Sequence, residues 1–314
     1  MTDPGSETKI PGRLSRLWDS DVAWSFRHSP VAILSGLVAL IIVLGAVFAP
    51  LIAPTNPYDP SSLNLMDGFT PPMQENAFTG NSYLLGTDNQ GRDVFSTILY
   101  GARISLFVGV SAVLFAMVLG ITAGLVAGYR GGWVDAVLMR VADVQLSFPS
   151  ILIALLIFGV ARGIIPPSQR ETMAIWVLII AIGLSDWVQF ARVVRGATMV
   201  EKGKEYVQAA RVIGVNPVRI LVRHILPNVM GPVLVIATIS VALAIIAEAT
   251  LSFLGVGVPP TQPSLGTLIR IGQQYLFSGE WWILLFPALT LLALALAVNL
   301  LGDWLRDALN PRLR

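Results

Sequence analysis

The sequence predicts an all-α, polytopic bundle of membrane-spanning helices, and three observations carry that prediction. Only 13% of the 314 residues are charged and 54% are hydrophobic, giving a mean hydropathy of +0.71; a water-soluble domain carries about 25% charged residues. The apolar residues fall in runs long enough to cross a hydrocarbon core, which takes about 20 helical residues. The Lys and Arg residues are divided unevenly between the segments joining those runs.

The runs come in order as follows. Val31–Ala53 is the first, punctuated by Pro50 and Pro54. It is too long for a signal-peptide core and lacks a small-residue cleavage site, so it is expected to be an uncleaved anchor. Ile104–Ala127 is the second, with Gly109, Gly120 and Gly124 on it. Phe148–Ala161 is the third; it is short and is expected to borrow length from Val134–Leu146, which carries Arg140 and Asp143. Met173–Phe190, Val229–Leu254 and Trp281–Leu301 complete six spans. Trp281 and Trp282 stand where an interfacial aromatic belt is expected. No internal repeat is evident.

Placing the N-terminus in the cytoplasm puts sixteen basic residues inside: Lys9, Arg13, Arg16, Arg27, Arg130, Arg140, Arg192, Arg195, Lys202, Lys204, Arg211, Arg219, Arg223, Arg306, Arg312 and Arg314. Five fall outside, namely Arg92, Arg103, Arg162, Arg170 and Arg270. The bias places both termini in the cytoplasm. The expected organisation is a cytoplasmic tail over 1–30, the anchor over 31–53, an extracytoplasmic loop over 54–103, a transmembrane domain over 104–303 and a cytoplasmic tail over 304–314.

Several chemistries find no support. There is no cysteine and only two histidines, His28 and His224, so neither a disulfide framework nor a thiolate or histidine metal centre is expected. No phosphate loop, His-Glu-x-x-His motif or Gly-x-Ser-x-Gly elbow occurs; Lys202-Gly-Lys204 has the wrong spacing. No catalytic residue, metal or cofactor is assigned. The net charge of +2 gives no reason to expect nucleic acid.

The longest inside loop, about 195–228, is the most informative segment. Glu205 to Ile213 is a good helix former with Ala209 and Ala210 inside it. Gly214 suits a C-terminal cap with φ > 0, and Asn216-Pro217 suits an N-cap followed by a first-turn proline. A second helix is expected from Pro217 to Leu226, stopping before Pro227. It would carry Val218, Leu221, Val222 and Ile225 on one face and Arg219 and Arg223 on another. Such a helical pair fits a groove on a partner protein or, equally, the surface of a bilayer, with its basic residues toward lipid headgroups.

The order of residues separates these readings. Glu205-x-x-x-Ala209-Ala210-x-x-x-Gly214, followed by His224-Ile-Leu-Pro-Asn228, resembles the EAA motif of the membrane subunits of bacterial ATP-binding-cassette importers. Further stretches resemble the dipeptide and oligopeptide permeases. They are Leu85-Gly-Thr-Asp-Asn-Gln-Gly-Arg-Asp93, Tyr100-Gly-Ala-Arg-Ile-Ser105, Gly128-Tyr-Arg-Gly-Gly132, Met139-Arg-Val-Ala-Asp143, Phe148-Pro-Ser150, Leu251-Ser-Phe-Leu-Gly-Val-Gly257 and Asn299-Leu-Leu-Gly-Asp303. The long first span with its outside loop resembles their C-type subunit. The resemblance implies a type I ABC importer permease fold with a cytoplasmic coupling helix. It also implies that Glu205, Ala209, Ala210, Gly214, Asn216 and Pro217 form the element that docks on an ATPase. The implied partners are a homologous B-type permease, two ATP-binding-cassette ATPases, an extracytoplasmic binding protein and the membrane lipid. The implied cargo is a peptide or related solute.

Some residues admit two readings. Asp88, Arg92 and Asp93 fit a surface salt-bridge knot or a contact for the binding protein. Asp186, with Gln189 and Arg192 at helical spacing, suggests a polar seam near the inner interface. Glu248, in the outer half of the fifth span, is a candidate for the translocation path; the alternative is a hydrogen bond between helices. A self-contained secondary transporter and an intramembrane enzyme are the rival functions. Neither accounts for a docking loop, and Asp186 and Glu248 alone make no convergent catalytic set.

Overall fold

A computed structural model describes residues 21–308 except 60 and 62. Most of the 1–30 tail, with Lys9, Arg13 and Arg16, and the end of the C-terminal tail, with Arg312 and Arg314, lie outside the described residues. Among those described the chain is helical, with no strand beyond two isolated β-bridges. Helix α1 is Asp21–His28, α2 Pro30–Val47 and α3 Ala49–Ile52. Helix α4 is Val94–Arg130, α5 Gly132–Leu146, α6 Ser150–Ile164, α7 Arg170–Glu201 and α8 Glu205–Val212. Helix α9 is Pro217–Arg219, α10 Leu226–Phe253, α11 Leu265–Gln273 and α12 Trp282–Ala308. Among the described residues five helical stretches are long and apolar enough to span a membrane, six if the bent pair α5–α6 counts as one.

The bundle is organised around α7: 56% of its most apolar stretch is buried, against 22% for α2 and for α12. Its main partner is α4, and glycines permit the approach. A Cβ on Gly120 would stand 2.5 Å from the Trp187 carbonyl oxygen, one on Gly124 2.5 Å from that of Ala191, and one on Gly128 2.8 Å from that of Arg195. Glycines four apart form one stripe on a helix, and small residues let membrane helices pack backbone to backbone. Large side chains point the other way. Leu34, Ile41, Val118, Leu156 and Leu292 are all more than half exposed, while the buried positions are rich in Ala and Gly. That inversion of the soluble pattern suits a bundle whose surroundings are lipid.

Several helix limits differ from the expectation. Helix α4 starts ten residues before Ile104, because Asp93 caps it: its carboxylate accepts from the amides of Phe95 (3.3 Å) and Ser96 (2.9 Å). The polar residues Ser96, Thr97 and Tyr100, which read as loop, lie on its first turns. Helix α7 continues eleven residues past Phe190, so the 195–228 segment begins inside a helix. The third span is broken, not continuous: α5 and α6 meet at 96°. Pro149 has no N–H to donate and disfavours helical backbone at Phe148. Gln145 holds the bend. Its Nε2 donates to the carbonyls of Leu184 (2.7 Å) and Ser185 (2.9 Å), and its Oε1 accepts from Trp187 Nε1 (2.9 Å).

The outside segment before α4 is tied down. Asp67 is buried and its carboxylate accepts from Thr79, from Asn81 Nδ2 (3.1 Å) and from the Tyr83 hydroxyl (3.0 Å). Asp88 and Arg92 form a buried ion pair at 2.6 Å, the knot reading of that cluster. Gly91, at φ +73°, has no room for a side chain, since a Cβ would lie 2.1 Å from the Asn64 carbonyl oxygen. Trp282 is buried against protein; its indole donates to the Thr87 carbonyl at 3.0 Å and joins α12 to this segment.

Candidate docking element and its connections to the bundle

Helix α8 ends where the sequence places its cap. Gly214 has φ +77°. The Gly214 amide donates to the Arg211 carbonyl and the Val215 amide to the Ala210 carbonyl, both at 3.0 Å. This pair of bonds is a Schellman motif, which needs a left-handed residue where Gly214 sits. Asn216 then caps the next helix, its side chain accepting from the Val218 amide at 2.9 Å, with Pro217 in the first turn.

The second helix does not stop at Pro227. After α9 the backbone widens into a π turn, Ile220–Ile225, and runs directly into α10. Proline brings no N–H and crowds the carbonyl four residues back, and a widened turn absorbs both. The π turn also changes the register. Ile220 and Ile225, five apart, face inward and are fully buried, whereas Val218 and Val222 stay 66% and 57% exposed. The expected single stripe of Val218, Leu221, Val222 and Ile225 is therefore split. Val218 and Val222 join Val212 and Ile213 as large apolar residues left exposed, with Arg211, Arg219 and Arg223 interspersed.

The six residues assigned to this element do not share one environment. Glu205, Ala209, Gly214, Asn216 and Pro217 are exposed, and Glu205 enters no ion pair among the described residues. Ala210 is buried. It packs inward with Val207, so its small size serves the seating of α8 on the bundle.

The sequence reading missed what fastens this element. The Tyr206 hydroxyl donates to Glu201 at 2.6 Å and accepts from Asn228 Nδ2 at 3.1 Å. Asn228 also donates to the His224 carbonyl at 2.7 Å, and Lys204 pairs with Glu201 at 2.6 Å. One node therefore joins the end of α7, α8 and the start of α10. Burial, and then the bond to Glu201, raises the Tyr206 pKa above its ordinary value. The next bundle helices connect as well. Lys202 Nζ donates to the Gly128 carbonyl at 2.7 Å, Arg211 lies over the Tyr129 ring at 4.7 Å, and Arg195 makes a two-pronged pair with Asp135. The signal available in the sequence was Asn228, the last residue of the His-Ile-Leu-Pro-Asn string.

The in-membrane acids are placed as follows. Glu248 has no exposed surface. It accepts from the hydroxyls of Ser105 on α4 and Ser252 on α10, each at 2.7 Å. Ser105 accepts in turn from the Leu265 amide (3.2 Å) and Ser252 from the Val258 amide (3.1 Å). The expectation that Glu248 lines a path is not met in this conformation of the chain. The carboxylate is enclosed by serines and makes the interhelical hydrogen bond of the alternative reading. The Asp186 seam is corrected too: Arg192 turns to Asp143 of α5 at 2.5 Å. Among the described residues no group of three or more potential metal ligands comes together.

Comparison with known proteins agrees with this architecture. Residues 120–314 match the family described as binding-protein-dependent transport system inner membrane component, and residues 16–72 match the N-terminal TM domain of oligopeptide transport permease C. The oligopeptide transport system permease protein OppC of Bacillus subtilis is 37% identical over 99% of this chain and 94% of its own length. The di/tripeptide transport system permease protein DppC of Pseudomonas aeruginosa is 37% identical over 99% and 97%. A putative peptide transport system permease protein of Brucella suis is 41% identical over 89% and 87%. Among solved structures, a chain of the MetNI methionine ABC transporter in an inward-facing conformation shares the fold. It has a TM-score of 0.53 and 19% identity, over 68% of this chain and 96% of that one. The chain belongs to the inner-membrane-component family of binding-protein-dependent transport systems: it is a multi-pass ABC importer permease subunit, and ATP hydrolysis falls to a separate subunit.

Proposed function

We propose that this chain is the C-type membrane subunit of an importer that moves peptides into the cytoplasm, and that α8 with the turn through Gly214 to Val222 is the surface its ATPase grips. One observation carries the docking assignment. An exposed apolar patch of Val212, Ile213, Val218 and Val222, set among Arg211, Arg219 and Arg223, sits on a helical pair joined directly to α7 and α10. Apolar anchors within a polar rim are the usual anatomy of a protein interface. The peptide cargo is supported by the names of relatives that match along nearly the whole chain. The complete assembly in this reading has a homologous B-type permease, two ATPases and an extracytoplasmic binding protein, with both termini of this chain in the cytoplasm.

The mechanism follows from the connections. Closure of an ATPase dimer draws the docked helices together. The Glu201–Tyr206–Asn228 node passes that displacement to α7 and to α10, whose far end runs into the segment from Gly255 to Gln273. The bundle then alternates between two states biased by a ligand bound elsewhere. To test this, the chain is co-expressed with its cognate subunits and purified through a tag on the ATPase, and peptide uptake is measured in proteoliposomes. Val218→Asp with Val222→Asp should abolish capture and uptake while the membrane subunits stay assembled. Uptake without ATPase, or undiminished capture by the double variant, refutes the proposal.

A further inference from the structure

Five basic residues fall in the segments assigned to the outside, and three of them meet in one place. Arg162, Arg170 and Arg270 line a cavity of about 270 Å3 at the end of the bundle opposite α8. Glu171 lines the same cavity, with Phe158 and Val258 among its apolar walls. Opposite charges facing a common space would ordinarily pair. Here none of the four side chains enters an ion pair among the described residues. Arg170 uses its Nε on the Ile165 carbonyl (3.2 Å). Arg270 Nε is buried and has no hydrogen-bond partner among the described residues, an expensive state for a cationic donor unless something else occupies it. The guanidinium is also hemmed in: a Cβ on Gly255, which has φ +80°, would stand 3.2 Å from Arg270 Nη1. Its helix, α11, starts at the amide held by Ser105 beneath Glu248.

We infer that this cavity is a transient site for a short zwitterionic solute, with the arginines receiving its carboxylate and Glu171 its ammonium group. Guanidinium and carboxylate make strong, directional pairs, and a ligand that brings both charges satisfies groups that form no ion pair with one another among the described residues. The three arginines and one glutamate leave an excess of positive charge at the mouth, which draws in the carboxylate end first. The inference rests on the peptide reading above and names the chemical handle by which this subunit holds its cargo.

The test uses the complete transporter in phosphatidylcholine nanodiscs without its binding protein. Equilibrium dialysis measures binding of radiolabelled dialanine, its C-terminal amide and its N-acetyl form. Dialanine should bind about tenfold more tightly than either capped form, the worth of one charge-assisted pair. Arg270→Gln should reduce dialanine to the level of the amide and leave the amide unchanged, and Glu171→Gln should reduce it to the level of the N-acetyl form. Arg162→Gln, at an exposed position, serves in the same way if the Arg270 variant does not assemble. Equal binding of the three probes, or dialanine binding unaltered by these variants, overturns the inference, and displacement of dialanine by added phosphatidylglycerol reassigns the anion to lipid and overturns it also. A wild-type complex that takes up no peptide with ATP and binding protein sinks the peptide reading itself. Intact uptake with a flat ranking of probes sinks only this site.

Discussion

Adding one methyl group to the seam between α4 and α7 should destabilise the bundle measurably. In Gly124→Ala the new carbon would lie 2.5 Å from the Ala191 carbonyl oxygen, 2.8 Å from Val194 Cβ and 3.0 Å from the Arg195 amide nitrogen. Ordinary contact lies near 3.5–4.0 Å, so the helices must part by roughly 1 Å. All three obstacles are backbone or Cβ atoms, so no rotamer change can relieve them. Overpacking of this kind costs about 1–3 kcal/mol, and parting the helices also loosens Gly120 and Gly128 on the same stripe. Gly196→Ala is the matched control. It lies on α7 within the same two turns, and its added Cβ meets nothing within 4 Å among the described residues, so it should be neutral or stabilise by up to about 1 kcal/mol through helix propensity. Thermal unfolding of the purified complex in detergent, followed by loss of the monodisperse chromatographic peak, ranks the variants. Gly124→Ala should unfold at a clearly lower temperature than wild type, and Gly196→Ala should not. Equal stability of Gly124→Ala and wild type would refute the close-packed seam.

At Gly214, alanine should cost about 1–2 kcal/mol in left-handed backbone strain alone, because among the described residues nothing lies within 4 Å of an added Cβ; asparagine should retain more ATPase capture than alanine in a pull-down. Arg195→Gln should lower stability by about 1 kcal/mol, read by the same unfolding assay, because it removes a partly exposed pair between α7 and α5. Glu248→Gln should keep stability and uptake near wild type, whereas Glu248→Ala should unfold at lower temperature, having left the buried Ser105 and Ser252 hydroxyls without their acceptor. Asp67 supplies a pH dependence. Burial alone would raise its pKa, but hydrogen bonds from Thr79, Asn81, Tyr83 and Asn64 outweigh that and hold it below the ordinary carboxylate range. Its contribution is therefore complete above the unfolded value of about 3.9 and is lost as pH falls through the lower folded value. Proteolysis of the 54–93 segment should accelerate below about pH 4 in wild type, and Asp67→Asn should be cut readily at neutral pH.

Much of the architecture was legible because lipid simplifies the code. Long uncharged runs have one stable solution in a bilayer, and of the three glycines noted on the second run Gly120 and Gly124 meet α7 while Gly109 meets α10. The cap at Gly214 and the Asn216-Pro217 start were legible because each is a local backbone rule. What escaped were features decided by tertiary partners. Ser96, Thr97 and Tyr100 looked like loop until Asp93 capped the helix beneath them. Pro227 read as a stop, yet a π turn ahead of it lets the helix continue, and that turn sends Val218 outward and Ile220 inward. Trp282 and Gln145 were invisible as anchors, since their partners are backbone carbonyls far away in sequence. Glu248 stood out as an acid within an apolar run, but only the folded chain brings Ser105 and Ser252 to it.

In the proposed function the α8–α9 turn meets a motor protein in the cytoplasm. The chain has no cysteine, so single cysteines report cleanly. Val218→Cys and, at the opposite end of the bundle, Phe277→Cys are introduced separately into the intact transporter in cells. A membrane-impermeant maleimide is applied from outside, and a short bifunctional cross-linker is applied to inverted vesicles. Phe277→Cys should label from outside, while Val218→Cys should not and should instead cross-link to the ATPase in inverted vesicles. Labelling of Val218→Cys from outside, or no cross-link to the ATPase in an active complex, would contradict it.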